Sequence, residues 1–238
     1  MKILERDERS GKMGNGLDRL HALDLPHIFI KDLEDPILSK ADIHYLKNVR
    51  RLRTGSYLTA TDGNGAWRTF ELQESSVLPT DSTEYCESQK STSELFISVT
   101  KSGKPELITQ KLTELGVSVI TFFFSARSVP KWSAEKIKKN KERLIAVSQS
   151  ALAQSKGVWL PNLEIGGSFE EVISKGNIPL AHRTAEPIGP DIRRIAIGPE
   201  GGWSDTELSS AHSKFSLHRL NLRSETAAIT AAALLENI

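Results

Sequence analysis

IAIGPEGGWSDTEL (195–208) is the stretch on which the reading of this chain turns. Ile195 to Gly198 reads as a buried strand, and Pro199-Glu200-Gly201-Gly202 as a stiff-then-flexible loop. Ser204, with Glu207 three residues later, forms the capping box of a following helix. Two adjacent glycines let the backbone approach a ligand closely. A strand, a Gly-rich loop and a capped helix make a common small-molecule site at the carboxyl end of an α/β sheet. Taken alone, however, a Gly-Gly loop is more often only a tight turn. No Gly-Lys-Ser/Thr follows, so this is not a nucleoside-triphosphate loop. It is also neither a GxGxxG dinucleotide fingerprint nor a GxSxG nucleophile elbow, and no HExxH occurs.

The second informative stretch is LHRLNLRSETAAITAAALL (217–235). It predicts a short strand near 216–220, then Leu222-Arg223-Ser224-Glu225-Thr226 with Ser224 as the N-cap, then a helix from 224 to the end. In AAITAAALL only Thr230 is polar. A helix apolar on every side has to be covered on every side, by the chain's own core or by a partner subunit. Arg223 and Glu225, just before it, are therefore not read as incidental surface charges.

Upstream of these two stretches, strands and helices alternate. LFISVT (95–100) and VSVITFFF (117–124) are buried strands. Between them Lys104-Pro105-Glu106 opens a helix that Gly116 closes, with Ile108, Leu112 and Leu115 on its apolar face. A long helix spans Ser133 to Ser155, with Ile137, Leu144, Ile145, Ala151 and Leu152 on one stripe. Strands follow at 178–181 and 193–198, then a helix near 204–213. The pattern predicts an α/β sheet with helices on both faces, over residues 92–238. Residues 26–91 read as a small β-rich module, with a strand at 27–30 and a short helix at 41–52. A hairpin turns through Asp62-Gly63-Asn64-Gly65, residues that supply the positive φ a tight turn needs. The Ser- and Thr-rich run 73–94 has linker composition, which places the boundary near 91. Residues 1–25 are left as an N-terminal extension, floppy or briefly helical.

The 238 residues are 38% hydrophobic and 26% charged, ordinary figures for a globular protein. No apolar run approaches the roughly 20 residues of a membrane-spanning helix. Cys86 is the only cysteine, which excludes a disulfide scaffold and a cysteine zinc site, and no metal is expected. Met1 to Arg19 has no apolar centre and is not read as a secretory signal, so the expected location is cytoplasmic. The net charge is only +1. Residues 1–91 carry 13 cations and 15 acids, and the remainder 18 and 15. Neither part is basic, yet each holds a basic cluster. Lys47, Arg50, Arg51 and Arg53 occur with no acid among them, and residues 131–143 hold six cations against Glu135 and Glu142. Phosphate contacts depend on local cations rather than on the net total. A run of charge is usually only a solvated helix face, and the 131–143 cluster is read that way.

GPEGGWSDTEL followed by LRSETAA resembles the signature pair of the bacterial small-subunit ribosomal RNA uridine-N3 methyltransferases, the RsmE family of the SPOUT superfamily. Residues 108–129 resemble that family's helix, strand and Ser-x-Arg segment, and residues 44–65 its N-terminal PUA-like β-barrel. The likeness covers roughly residues 26–238. It implies a PUA-like RNA-binding domain at 26–91 and a trefoil-knotted SPOUT methyltransferase domain at 92–238. The cofactor implied is S-adenosyl-L-methionine, held by His182, Ile197, Gly198, Pro199, Glu200, Gly201, Gly202, Leu217, Leu222 and Thr226. The substrate implied is N3 of a uridine in 16S ribosomal RNA or the small ribosomal subunit, and the assembly implied is a homodimer.

The chemistry then asks for two functions. A cation beside the base stabilises the imidate left when the N3 proton departs, and a carboxylate accepts that proton. Arg223 is assigned the first role and Glu225, or Glu200, the second; either glutamate has a purely structural alternative. Because N3 lies on the Watson–Crick edge, the target must be unpaired, so RNA has to be gripped elsewhere. Lys47, Arg50, Arg51, Arg53 and Arg127 are the expected contacts. The chain departs from the family pattern at Ala153-Gln154-Ser155-Lys156-Gly157, at Trp159, and at His218, where the family has Gly. Two further readings stay open: a SPOUT methyltransferase for another RNA site, and an RNA-binding or ribosome-assembly protein with a relict pocket.

Overall fold

The computed structural model describes residues 16–87, 92–100 and 103–236. Most of the expected N-terminal extension, residues 1–15, and the expected boundary at 91 lie outside the described residues. The chain divides into two compact units, Met1–Ser88 and Gln89–Ile238.

The first unit opens with helix α1 (Gly16–Leu23), which buries Leu20 and whose Gly16 carbonyl accepts a hydrogen bond from Trp67 Nε1 at 3.1 Å. Residues 16–23, expected within an extension, thus pack as part of the unit. Strand β1 (His27–Phe29) leads to α2 (Lys40–His44), which runs on into a five-residue π-helical turn (Tyr45–Val49). Then come β2 (Tyr57–Thr61), β3 (Ala66–Leu72), β4 (Val77–Pro79) and β5 (Glu84–Tyr85). The sheet order is β1-β2-β3-β4, with β5 also on β3; β1 runs parallel to β2 and the other pairs are antiparallel. The β2–β3 hairpin turns as its residues predict. Gly63 and Gly65 have φ of 75° and 91°, and Asp62 Oδ1 accepts from the amides of Asn64 and Ala66 at 2.7 and 3.2 Å. Alternate residues Leu58, Ala60, Phe70 and Leu72 face one core with Ile28, Ile30 and Leu46. Burial pushes the Cys86 thiol up, so it stays an inert core group.

The second unit alternates strands and helices: β6 (Glu94–Ser98), α3 (Lys104–Glu114), β7 (Val119–Phe124), α4 (Ala134–Gln154), β8 (Asn162–Ser168), α5 (Phe169–Ser174), β9 (Leu180–Ala181), β10 (Arg194–Ile197), α6 (Asp205–Ser210), β11 (Lys214–Phe215) and α7 (Ser224–Leu235). All six strands are parallel, in the order β11-β9-β10-β6-β7-β8. A parallel sheet is buried on both faces, and successive residues serve opposite cores. Leu95, Ile97, Phe122, Ile195 and Ile197 pack with α3, α4 and α7. Phe96, Phe123 and Ala196 pack with Phe169, Val172 and Trp203 on the other face.

Several expectations are corrected here. The strand near 216–220 lies earlier, at Lys214–Phe215, with Ser216 bridging Pro187. Residues 218–220 instead turn, the His218 ring Nδ1 accepting from the Leu220 amide at 3.1 Å. Ser224 is not the N-cap of α7: Arg223 is, and Ser224 occupies the first helical position, its hydroxyl donating to the Gly198 carbonyl at 3.1 Å. Ile145, placed on the buried stripe of α4, is 37% exposed; Asn140 and Ser148 take buried positions instead. In α7 the chain's own core covers Ala228, Ala231, Ala232 and Leu235, but leaves Leu234 40% exposed. β8 and α5 went unpredicted, since NLEIGGS breaks its alternation with two glycines at positive φ. The departure at Ser155-Lys156-Gly157 ends α4. Lys156 turns left-handed (φ 54°), Gly157 N–H donates to the Leu152 carbonyl at 2.9 Å, and a Cβ on Gly157 would meet Leu152 Cδ1 at 2.7 Å.

Candidate functional site

The capping box read from the sequence forms as expected. Ser204 Oγ accepts from the Glu207 amide, and Glu207 Oε2 accepts from the Ser204 amide at 2.7 Å. Glu207 is only 3% exposed, because its other oxygen accepts from the Ala126 amide at 2.9 Å and so ties the loop after β7 to α6. Between β10 and this helix the chain turns sharply, with Gly202 N–H donating to the Pro199 carbonyl at 2.9 Å and Gly202 at φ 69°. Trp203 folds back beneath the turn. It stacks on Phe123 (6.3 Å, 14°), and its Nε1 donates to the Ala181 carbonyl at 3.0 Å. A Cβ on Gly198 would sit 3.0 Å from the Trp203 ring, a tight contact that the ring would have to give way to, and glycine spares the turn that strain.

These elements leave a cavity of about 670 Å³ at the carboxyl end of β10. Of the residues expected to hold a cofactor, His182, Ile197, Gly198, Pro199, Glu200, Gly201, Gly202, Leu217 and Leu222 all line it. Thr226 does not: it is exposed on the first turn of α7. Arg223 lines the cavity, is exposed, and makes no side-chain hydrogen bond or ion pair among the described residues. Arg183 and His218 line it as well.

Glu225 is placed differently from the expectation. It does not line the cavity, and its Oε2 stands 3.0 Å from Lys104 Nζ. Lys104 also donates to Glu200 Oε1 at 2.8 Å. Burial pulls the Glu225 carboxyl upward, but its own backbone amide and the Lys104 ammonium outweigh that and hold it below the usual range. The two carboxylates in turn hold Lys104 above its usual value. Lys104 went unnoticed in the sequence, where it only opens a helix; its partners lie about a hundred residues further on.

The expected RNA contacts also separate. Arg127 donates from Nη1 to the Gly201 carbonyl at 3.2 Å, bracing the glycine loop, and is exposed. Ser98, Ser125 and Ser128 hold that arginine's loop by hydroxyl contacts of 2.7 to 3.0 Å. In the first unit Lys47 Nζ donates to the Glu74 carbonyl. Arg50, Arg51 and Arg53 are exposed, with no side-chain partner among the described residues, and Arg51 is held left-handed at φ 55° where the π-helical turn ends. Among the described residues no group of three His, Cys, Asp or Glu side chains is placed to hold a metal ion, and no helix is long and apolar enough to cross a membrane.

Residues 38–76 match the family model of the RNA methyltransferase PUA domain. The ribosomal RNA small subunit methyltransferase E of Synechocystis sp. is 28% identical over 222 residues, covering 82% of this chain and 71% of that protein. Its namesake in Bacillus subtilis is 28% identical over 193 residues, covering 70% and 74%. Among solved structures, a putative methyltransferase of Legionella pneumophila in complex with S-adenosylmethionine shares the fold at a TM-score of 0.80, with 24% identity over 90% of this chain and 97% of that one. The ribosomal RNA small subunit methyltransferase E of Neisseria gonorrhoeae, bound to S-adenosylmethionine, does so at 0.74, with 23% identity and the same coverage. Since the model of the RNA methyltransferase domain itself matches residues 87–236, all but the last two residues of the unit that builds the cavity, this chain belongs to the RNA methyltransferase domain family.

Proposed function

We propose that the protein methylates N3 of a uridine in 16S ribosomal RNA, using S-adenosylmethionine. The observation that carries this reading is the cavity at the end of β10, where the glycine loop and the exposed Arg223 meet. Its volume lies within the roughly 300 to 1,000 Å³ of small-molecule sites. Ile197, Leu217, Leu222 and Ala227 offer aliphatic surface for an adenine ring, and Gly198 to Gly202 an accessible backbone. The residues present therefore fit the cofactor. When bound, S-adenosylmethionine supplies an electrophilic methyl group. Arg223 would stabilise the imidate formed as the N3 proton leaves, by placing its positive charge beside the developing negative one. Glu200 and Glu225 are both engaged by Lys104, but only Glu200 lines the cavity, so the N3 proton would pass to Glu200 and Glu225 is read as the counter-ion of Lys104.

The fold relatives support two finer readings of architecture. The chain around β10, β11 and α7 is read as the SPOUT trefoil knot, an exception to un-knotted connections, and the first unit as a PUA-like barrel. Arg50, Arg51 and Arg53 are read as phosphate contacts for the ribosomal RNA. The exposed Leu234 and half-buried Ile229 and Ala233 on α7 favour a homodimer; sedimentation as a monomer would remove that part. A ribosomal substrate implies a cytoplasmic location. Mass spectrometry of small-subunit RNA from cells with and without the protein tests the whole reading. Loss of one N3-methyluridine is expected, and an unchanged modification pattern overturns it.

A further inference from the structure

Lys104 stands at the first position of α3, after Gly103 at φ 85°, and does not line the cavity. Its ammonium nevertheless reaches both segments that do. It donates to Glu200 Oε1 at 2.8 Å, in the glycine loop after β10, and lies 3.0 Å from Glu225 Oε2 at the start of α7. The side chains are 26% exposed for Lys104, 33% for Glu200 and 15% for Glu225, so solvent screens the pairs only in part. Glu225 Oε2 is buried, with Lys104 Nζ as its ion-pair contact at 3.0 Å and the Arg223 charge acting on it from further off. A second tie crosses the same junction, the Ser224 hydroxyl on the Gly198 carbonyl. Three separate elements, α3, the glycine loop and α7, are joined at one charged point.

We propose that Lys104 is a positioning residue of the cavity: its ammonium fastens the Pro199–Gly202 loop to the first turn of α7 and so holds in register the two segments that line the site. This rests on the reading of the cavity as a site for S-adenosylmethionine. Without Lys104, the two carboxylates would lose the cation that bridges them, and their repulsion would favour parting the loop from the helix. The geometry also explains why an acidic residue is tolerated in a cavity whose chemistry develops negative charge.

The test is titration calorimetry of S-adenosylmethionine into the full chain, with RNA affinity measured alongside. The parent protein must bind the cofactor; if it does not, the functional reading fails and not this one. In Lys104→Met the dissociation constant for the cofactor should rise roughly tenfold while RNA affinity holds. Lys104→Arg, whose fork still reaches two carboxylates, should recover most of the loss. Glu225→Gln keeps the shape of the site, serves if Lys104→Met fails to fold, and should show a similar loss. The double variant Lys104→Met/Glu225→Gln should lose no more than either single one, because a shared interaction is removed once. A cofactor affinity within about twofold of the parent in Lys104→Met, or additive losses in the double variant, overturns the proposal. An equal fall in RNA affinity also overturns it, since Lys104 would then be an RNA contact.

Discussion

The cations of residues 47–53 and those around the cavity are put to opposite uses. In the first unit Arg50, Arg51 and Arg53 are exposed with no side-chain partner among the described residues, in a run, 47–53, that carries no acid. In the second, Lys104 is engaged by two carboxylates and Arg127 by a backbone carbonyl, while Arg183 and Arg223 remain exposed at the cavity. A sequence counts both sets alike. What separates them is whether the fold delivers an acceptor from a distant part of the chain, and only the cations it leaves unpaired are available to a partner.

That contrast can be broken most sharply at Arg223. Arg223→Ala should lower single-turnover methyl transfer about 10² to 10³-fold while cofactor affinity holds, as expected for a group that acts on developing charge. Retained turnover would mean that an unpaired cation in the cavity is as idle as a paired one. Next in size is Glu207→Ala, which removes a buried carboxylate and strips the Ser204 and Ala126 amides of their partner. It should cost about 2 to 3 kcal/mol of stability in a denaturant titration. Gly198→Ala forces a methyl group against the Trp203 ring, and should cost about 1 to 3 kcal/mol with a parallel loss of cofactor affinity. If both stay unchanged, the packing of the turn on Trp203 does not shape the site.

Replacing Arg50, Arg51 and Arg53 together by Ala should leave cofactor affinity alone. RNA binding should weaken, and its dependence on log salt should flatten by roughly 2 to 3. The smallest effect is one of pH. The Glu225 carboxyl is held low, so the stability it contributes is present above the ordinary carboxylate range and is lost as pH falls through its lowered value. Lys104 is held high, so its contribution is lost only as pH rises through its raised value. The difference in Tm between the parent and Lys104→Met should therefore stay level from about pH 6 to about pH 9 and shrink below about pH 4. A slope near neutrality would show that another group governs the junction.

Local patterns carried most of the architecture. The Asp62–Gly65 hairpin, the Ser204–Glu207 capping box, Pro105 at the head of α3 and the apolar strands 95–98 and 119–124 each depend on neighbours a few residues away. Where such signals were weak, elements were displaced or missed. LHRL alternates like a strand but turns on the His218 ring, and NLEIGGS carries too many glycines to look like one. Ser224 has the chemistry of an N-cap, yet the helix begins one residue earlier because its hydroxyl is drawn to the Gly198 carbonyl.

The sequence by itself determined the glycine turn, the capping box and the apolar final helix, because glycine, capping and burial requirements are written in neighbouring residues, while the pairing of GPEGG with LRSETAA in one site came from their resemblance to a family signature. Only the tertiary structure decided what each charge there does. Glu225 and Glu200 are equivalent as letters, and both read as candidate bases until Lys104, 96 residues before the one and further still from the other, is brought between them. The physical reason is one of range. Propensity and capping act over a turn or two of chain, whereas an ion pair depends on distance in space alone, which the parallel sheet sets by placing the ends of β6, β10 and α7 side by side.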